Sequence, residues 1–187
     1  MTAATYFNWL DRKKESKLFK FRKRNQKDPN ESIAILIQLM YNKKYEEGKN
    51  MSLELIPIQF NKILQSQNYT VFILGTQEKQ FAIYTSAYIG KNLQIYLADQ
   101  IKPRPCTHDL IHSIFNGLNI QLLQVVITDV KDTLYFARIF IEQRTDNLRN
   151  ILEIDARPSD CLTLALENNI PIYCTKEAFN KTIAVDE

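Results

Sequence analysis

Two neighbouring segments rich in β-branched and aromatic residues place the strongest constraint on how this chain can fold. Residues 121–130 and 133–142 are such segments, and only two residues separate them. Because these residue types favour strands and a short connection favours a hairpin, the two segments predict an antiparallel pair. Residues 69–76 and 80–85 predict a second hairpin, although the turn at 77–79 lacks the glycine that such turns prefer.

Helices are predicted one at a time between the strands. Apolar residues at helical spacing indicate helices at 87–99, 107–117, 158–168 and 176–181. The second of these is expected to be capped by Thr107 and to turn five residues toward the core: Leu110, Ile111, Ile114, Phe115 and Leu118. Further strands are expected at 53–60, where Pro57 indicates an edge or a bulge, at 151–155 and at 170–174, with a polar loop at 144–149. This order of elements is typical of an α+β fold with a mixed, mainly antiparallel sheet.

The charge of the chain is concentrated at its N-terminus. Residues 1–30 carry nine Lys and Arg against three Asp and Glu, a net charge of +6, whereas the other 157 residues have a net charge of −3. A cationic arm on a slightly acidic body indicates a contact with DNA or RNA, because neutralising phosphates releases counterions. A solvated leader with no specific contact is the alternative. The basic side chains assigned to such a contact are Lys13, Lys14, Lys17, Lys20, Arg22, Lys23 and Arg24.

A break at residues 46–50 indicates a boundary between this arm and the rest of the chain. Residues 29–45 predict one helix, which the sequence Glu-Glu-Gly-Lys-Asn then ends. We therefore expect a basic helical extension over residues 1–50 and a single domain over residues 51–187.

Composition excludes several classes of protein. No apolar run approaches the roughly 18 residues of a membrane-spanning helix, and no secretory leader is recognised at the N-terminus. Three cysteines without a CxxC spacing argue against a disulfide scaffold and a cysteine-rich zinc site, and they favour a reducing, cytoplasmic location. With only four glycines, the chain cannot form a glycine-rich phosphate loop.

The residues most suited to chemistry lie at 153–160, Glu-Ile-Asp-Ala-Arg-Pro-Ser-Asp. Alternation along a strand puts Glu153 and Asp155 on one face, and the following helix carries Ser159 and Asp160 in its first turn. Carboxylates gathered at such a junction are the ligands that Mg²⁺ or Mn²⁺ prefers, and an arginine there binds phosphate bidentately. A structural alternative stays open, in which Asp160 stabilises the helix N-terminus and Asp155 pairs with Arg157.

A second segment, Arg-Pro-Cys-Thr-His-Asp at 104–109, repeats this layout of arginine, proline and an acid in the first helical turn. His108 and His112 stand four residues apart on one helical face, as in the HExxH motif of metalloproteases. The shorter Asp109 in place of glutamate and the lack of a third ligand argue against a zinc site. His108 is therefore interpreted as a general base or a local polar contact, and His112 as a surface residue.

Four sequence stretches resemble the bifunctional nuclease (BFN) domain family: RPCTHDL at 104–110, VITD at 126–129, LYFA at 134–137, and EIDARPSD at 153–160 followed by LAL at 164–166. The resemblance covers about residues 51–180 and implies a compact α+β domain, a homo-oligomer, and cleavage of DNA and RNA. By motif position it implies these site residues: Arg104, His108, Asp109, Asp129, Glu153, Asp155, Arg157, Ser159 and Asp160. At 86–90 the chain reads Ser-Ala-Tyr-Ile-Gly, where such domains tend to have Gly-x-x-Glu-Ala, so one carboxylate is missing.

These observations predict a nuclease assisted by Mg²⁺ or Mn²⁺, built where the two Arg-Pro turns meet in space. The expected catalytic residues are His108, Asp109, Asp155 and Asp160. The expected metal ligands are Glu153, Asp155 and Asp160, and the expected substrate-binding residues are Arg104, Arg157 and Ser159. Two alternatives remain: a non-catalytic nucleic-acid-binding or regulatory protein, and a homo-oligomeric module that binds a small anion or nucleotide at its helix N-termini.

Overall fold

A computed structural model describes residues 54–145 and 148–185, and within these ranges the chain forms a seven-stranded sheet with four helices. The strands are β1 Leu55–Gln65, β2 Tyr69–Gly75, β3 Gln80–Ser86, β4 Ile120–Lys131, β5 Leu134–Thr145, β6 Leu148–Ala156 and β7 Ile172–Thr175. The helices are α1 Ala87–Leu97, α2 Thr107–Gly117, α3 Pro158–Asn168 and α4 Lys176–Lys181. The predicted arm, its helix at 29–45 and the boundary at 46–50 lie outside the described residues.

The sheet has the strand order β3-β2-β1-β7-β4-β5-β6. In the described part of the chain only β4 and β7 pair in parallel, and every other pair is antiparallel. The predicted α+β fold with a mixed, mainly antiparallel sheet is therefore confirmed. None of the helices that the structure describes is long and apolar enough to cross a bilayer.

Local chemistry explains the strand ends that looked irregular in the sequence. Pro57 pairs with Tyr173 of β7, whereas the pairing of β1 with β2 starts only at Gln59, so the proline occupies a position with one neighbouring strand. The hairpin of β2 and β3 needs its glycine before the turn. Gly75 has φ +155°, and a Cβ there would lie 2.2 Å from the carbonyl oxygen of Lys79.

The predicted polar loop at 144–149 is wrong, because β5 continues to Thr145 and β6 begins at Leu148. The side chains of Arg144 and Arg149 both bind the carboxylate of Glu142, which is fully buried. Arg144 and Arg149 also face each other in the register of the two strands. Charge pairing around one buried carboxylate therefore extends the hairpin through residues that have no strong preference for strands.

The orientation of α2 also differs from the prediction. Leu110, Ile114 and Leu118 are about half exposed rather than buried, whereas Ile111 and Phe115 do pack against the core. Within α2 the buried residue is His108, and the N-cap is Cys106 rather than Thr107. The inward face of α2 therefore has the spacing i, i+3 and i+7 and begins at His108. The hydrophobic pattern of the sequence does not predict a polar residue at that position.

The core surrounds α3. Seven of its eleven residues are buried, and its C-terminus ends at Asn169 in the left-handed conformation (φ 53°). Because α3 packs on almost every side, its N-terminus is held in place.

A smaller apolar cluster of Leu123, Val126 and Phe140 lies apart from this core. With side chains in both clusters, β4 is buried over its centre from Leu123 to Ile127.

The sheet curls so that strands far apart in its order come close. The rings of Phe81 on β3 and Tyr135 on β5 stack with centroids 5.7 Å apart and planes 14° apart, although four strands separate β3 from β5 in the sheet. This curvature brings the edge of β3 near the start of β5 and the β6–α3 junction.

Candidate functional site

The two Arg-Pro segments meet where α2 and α3 begin. Nε2 of His108, near the start of α2, lies 3.2 Å from Oδ1 of Asp160, near the start of α3. His108 is 8% exposed and the side chain of Asp160 is 24% exposed, so this contact is partly buried. Contact between the two segments is therefore present in the structure, although 52 residues separate the two side chains in sequence.

Asp160 connects this buried histidine to an exposed arginine. Nε of Arg157 donates to Oδ2 of Asp160 at 2.7 Å, and Nη2 donates to Oδ1 at 3.2 Å. The side chain of Arg157 is 74% exposed, and that of Asp160 is 24% exposed. His108, Asp160 and Arg157 thus form a chain of polar contacts from the interior to the surface, which we call the His-Asp-Arg chain.

Asp109, the corresponding acid of α2, is bound by its surroundings. Oδ2 of Asp109 accepts a 2.6 Å hydrogen bond from the backbone N–H of Cys106, and Nζ of Lys102 donates to both carboxylate oxygens at 2.8 and 3.0 Å. Burial alone would raise the pKa of Asp109, but the hydrogen bonds from Lys102 and from the Cys106 backbone outweigh it and leave the pKa below its ordinary value. Asp109 therefore caps α2 as an ionised carboxylate.

Lys102 and Glu167 belong to the same region, and the sequence analysis missed both. Nζ of Lys102 lies 3.5 Å from Oε1 of Glu167, whose side chain is 9% exposed. Burial raises the pKa of Glu167, while Lys102 and then His108 act in the opposite direction. The only sequence indication was position, since Lys102 precedes the first Arg-Pro turn and Glu167 follows the LAL stretch of α3.

We expect Asp109 to make the stability of the protein fall on acidification. Because its pKa is lowered on folding, the stabilisation is complete above the unfolded pKa of about 3.9 and is lost as the pH falls through the lower folded value. Asp109→Asn should lower the free energy of unfolding at pH 7 by about 1 kcal/mol, as loss of a helix cap does. Thermal unfolding between pH 2.5 and pH 7 measures both effects.

The exposed turn residue Asp132 offers a matched control, Asp132→Asn, for this measurement. It should unfold like the wild type at every pH, whereas Asp109→Asn should show a flatter decline below about pH 4. If the stability of Asp109→Asn fell with pH in parallel with that of the wild type, the conclusion that Asp109 is held as an ionised cap of α2 would be refuted.

The structure places the two arginines in different cavities. Arg104 lines a cavity of about 400 Å³ together with Lys102 and Asp109. Arg157 lines a second cavity of about 700 Å³ together with Asp155 and Ser159. The two segments therefore share the His108–Asp160 contact, but each opens onto its own cavity.

The predicted metal ligands also lie in different surroundings. Glu153 forms an ion pair with Arg138 on β5, whereas Asp155 is exposed, lines the larger cavity and has no hydrogen bond or ion pair within the described ranges. The predicted alternative pair of Asp155 with Arg157 does not form, because Arg157 binds Asp160. Among residues 54–145 and 148–185 no group of three or more His, Cys, Asp or Glu side chains is placed to hold a metal ion.

Asp155 lies near the end of β6, and Asp160 lies in the first turn of α3, so both belong to the β6–α3 junction. Burial raises the pKa of the Cys161 thiol to about 12, and the charges of Asp160 and Asp155 add to this effect. Carboxylates are ligands suited to Mg²⁺, which takes one or two of them and completes its shell with water and phosphate oxygens.

The remaining candidate, Asp129, takes part in contacts that support the fold. Asp129 on β4 accepts from Nζ of Lys181 at 2.9 Å and from the N–H of Val130 at 2.8 Å, and the lysine holds the pKa of Asp129 below its usual value. His112 is exposed, as predicted. Ile89, at the position of the missing carboxylate, is buried in the core.

Comparison with known proteins identifies the family. Residues 72–186 match the family model described as the bifunctional nuclease domain. The chain is also 32% identical over 116 residues to two proteins of Mycobacterium tuberculosis, uncharacterized protein Rv1829 of strain ATCC 25618 / H37Rv and uncharacterized protein MT1877 of strain CDC 1551 / Oshkosh. These matches cover 60% of this chain and 65% of each relative, so less than two thirds of either relative is spanned. Because the matched region takes up more than half of the sequence, the chain belongs to the bifunctional nuclease domain family.

Proposed function

We propose that this protein is a nuclease that hydrolyses phosphodiester bonds of DNA or RNA in the larger cavity. The observation that carries the proposal is the His-Asp-Arg chain, which ends at this cavity in the exposed guanidinium of Arg157. Membership of the bifunctional nuclease domain family supports the same reaction. Arg104 opens onto the other cavity and is assigned to holding a more distant part of the nucleic acid.

Arg157 is assigned to the phosphate. A guanidinium presents two parallel N–H donors that match two phosphate oxygens, and its charge offsets the negative charge that develops during phosphoryl transfer. The ion pair with Asp160 directs one edge of the guanidinium, and the 74% exposure of the side chain leaves other donors available to a ligand. Ser159, which also lines the cavity, supplies a hydroxyl beside it.

His108 is assigned to proton transfer. Imidazole takes up and releases protons near neutral pH, and a neighbouring carboxylate fixes its orientation. The 3.2 Å contact between Nε2 of His108 and Oδ1 of Asp160 provides such a neighbour.

Asp155 and Asp160 would hold a divalent cation, Mg²⁺ or Mn²⁺. Their oxygen donors and their positions at the β6–α3 junction fit this role, whereas Glu153 is already paired with Arg138. A bound cation of this type would make water more acidic and offset phosphate charge. Because Asp160 is also bound by Arg157, Asp155 is the carboxylate with free capacity for a metal.

The basic arm and the oligomeric state complete the proposal. The charge of +6 over residues 1–30 would raise the affinity for nucleic acid in a salt-dependent way. The exposed apolar side chains of Leu110 and Ile114 on α2 and of Leu118 directly after it favour a homo-oligomer, since exposed apolar patches often lie at interfaces. A cytoplasmic location stays a prediction from the cysteine content.

We expect Arg157→Ala to reduce nucleic-acid cleavage by about 100-fold, the usual cost of removing one group that stabilises a developing charge. The substitution removes an exposed side chain, so the protein should still fold. The measurement is the initial rate of cleavage of end-labelled DNA and RNA oligonucleotides by the purified full chain with Mg²⁺ or Mn²⁺.

Lys62→Ala serves as the control, because Lys62 is an exposed cation on β1 and lines neither cavity. Its rate should equal that of the wild type, and activity should co-elute with the protein. A protein that binds nucleic acid but leaves every substrate intact would instead support the non-catalytic alternative. A thermal shift caused by phosphate or a nucleotide without cleavage would support the anion-binding module.

A further inference from the structure

The larger cavity has aromatic walls that the proposed chemistry does not use. Tyr84 on β3 and Tyr135 and Phe136 on β5 are among the residues that line it. Tyr84 is 69% exposed, so most of its side chain is open to a ligand. Its ring lies 5.9 Å from that of Tyr69 on β2, which is also exposed, so two tyrosines from neighbouring strands stand side by side.

The size and charge of this cavity narrow the choice of occupant. A volume of about 700 Å³ falls in the range of pockets that enclose small organic groups, about 300–1,000 Å³. Arg157 stands at the β6–α3 side of the same cavity with an exposed guanidinium. A group with a flat apolar face joined to an anion would therefore satisfy both the aromatic wall and the arginine.

We propose that this cavity takes an unpaired base of the nucleic acid, stacked on Tyr84 while Arg157 binds the adjacent phosphate, and that the protein therefore prefers single-stranded over duplex substrates. This inference rests on the proposed function, because it assigns the substrate of the same site. Bases stack on tyrosine rings whatever their identity, and a base within a duplex already has both faces covered by its neighbours. The protein is therefore expected to distinguish single-stranded from duplex nucleic acid, and not one base sequence from another.

Binding is tested without cleavage by removing divalent cations. The wild-type protein in EDTA is titrated with 12-nucleotide DNA, single-stranded or duplex, containing the fluorescent base 2-aminopurine at its centre. Stacking on an aromatic ring quenches this base, so fluorescence reports stacking and anisotropy of an end label reports binding. Tyr84→Ala should weaken single-strand binding about tenfold and remove the quenching, while Tyr84→Trp should preserve both.

Tyr88→Ala is the matched control, because Tyr88 is 65% exposed on α1 and does not line the cavity. It should leave affinity and quenching unchanged. Equal affinity for single strand and duplex, or quenching that survives Tyr84→Ala, would overturn the inference, as would the absence of binding to either DNA.

The two proposals fail separately. If the wild type binds single strands through Tyr84 but cuts nothing, the base site stands and the nuclease assignment falls. If the wild type cuts duplex as fast as single strand and Tyr84→Ala changes neither rate, the nuclease assignment stands and the base site falls.

Discussion

Replacing Asp155 and Asp160 together with asparagine is expected to abolish cleavage that depends on a divalent cation, with a loss of at least about 100-fold. The double change removes both carboxylates at the β6–α3 junction while keeping the volume of each side chain. It also removes the ionic partner of Arg157 and the neighbour of His108. The measurement is the cleavage rate with Mg²⁺ or Mn²⁺, with circular dichroism to confirm that the protein is folded.

A second measurement, thermal unfolding, tests metal binding independently of cleavage. Mg²⁺ or Mn²⁺ should raise the thermal unfolding midpoint of the wild type but not that of the double variant, because an ion that binds only the folded state stabilises it. Asp132→Asn is the control, since Asp132 lies in an exposed turn at φ 46°, a conformation that asparagine tolerates well. Full cleavage by the double variant would refute the assignment of these two carboxylates.

Replacing Gly90 with alanine is expected to destabilise the protein by about 1–3 kcal/mol, although alanine is the better helix former. Gly90 lies on the buried side of α1 against β2, and a Cβ there would come within 2.0 Å of Oγ1 and 2.4 Å of Cγ2 of Thr70. Thr70 is fully buried and donates a hydrogen bond to Oε1 of Gln65 at 2.8 Å, so it has little room to move. Thermal unfolding should show a midpoint lowered by roughly 2–10 °C.

Gly117→Ala is expected to have the opposite effect and to raise the stability of the protein. Gly117 ends α2, and an added Cβ would meet no atom within 4 Å, so alanine should stabilise the helix by up to about 1 kcal/mol. Combining Gly90→Ala with Thr70→Ala should recover part of the loss, because the second change removes the two nearest of the three atoms that crowd the new methyl group and leaves Oε1 of Gln65 at 2.6 Å. A neutral Gly90→Ala would show that the packing of α1 on β2 is looser than the structure indicates.

The elements that the sequence predicts well are those whose stability is local. The hairpin of β4 and β5 follows from its β-branched residues, and α3 follows from Pro158 at its start and Asn169 at its end. The extension of β5 and β6 could not be found in this way. It depends on Arg144 and Arg149 binding a carboxylate that becomes buried only when the sheet forms.

The same distinction applies to the candidate site. The segments 104–109 and 153–160 were recognised by their motifs, but spacing along the chain cannot show that His108 reaches Asp160. Likewise, Lys102 and Glu167 become neighbours only through the packing of the folded chain. The cavity wall at Tyr84 and Tyr135 depends on the curl of the whole sheet, a property that no single segment contains.

The burial of α3 has a consequence for how the proposed site would work. With seven of the eleven residues of α3 buried, the first turn that carries Asp160 is supported by close packing. The electrostatic field that meets the phosphate is then preorganised, and binding costs little rearrangement of the protein. Changes in the packing of Leu162, which is fully buried, would therefore weaken the reaction without touching the substrate.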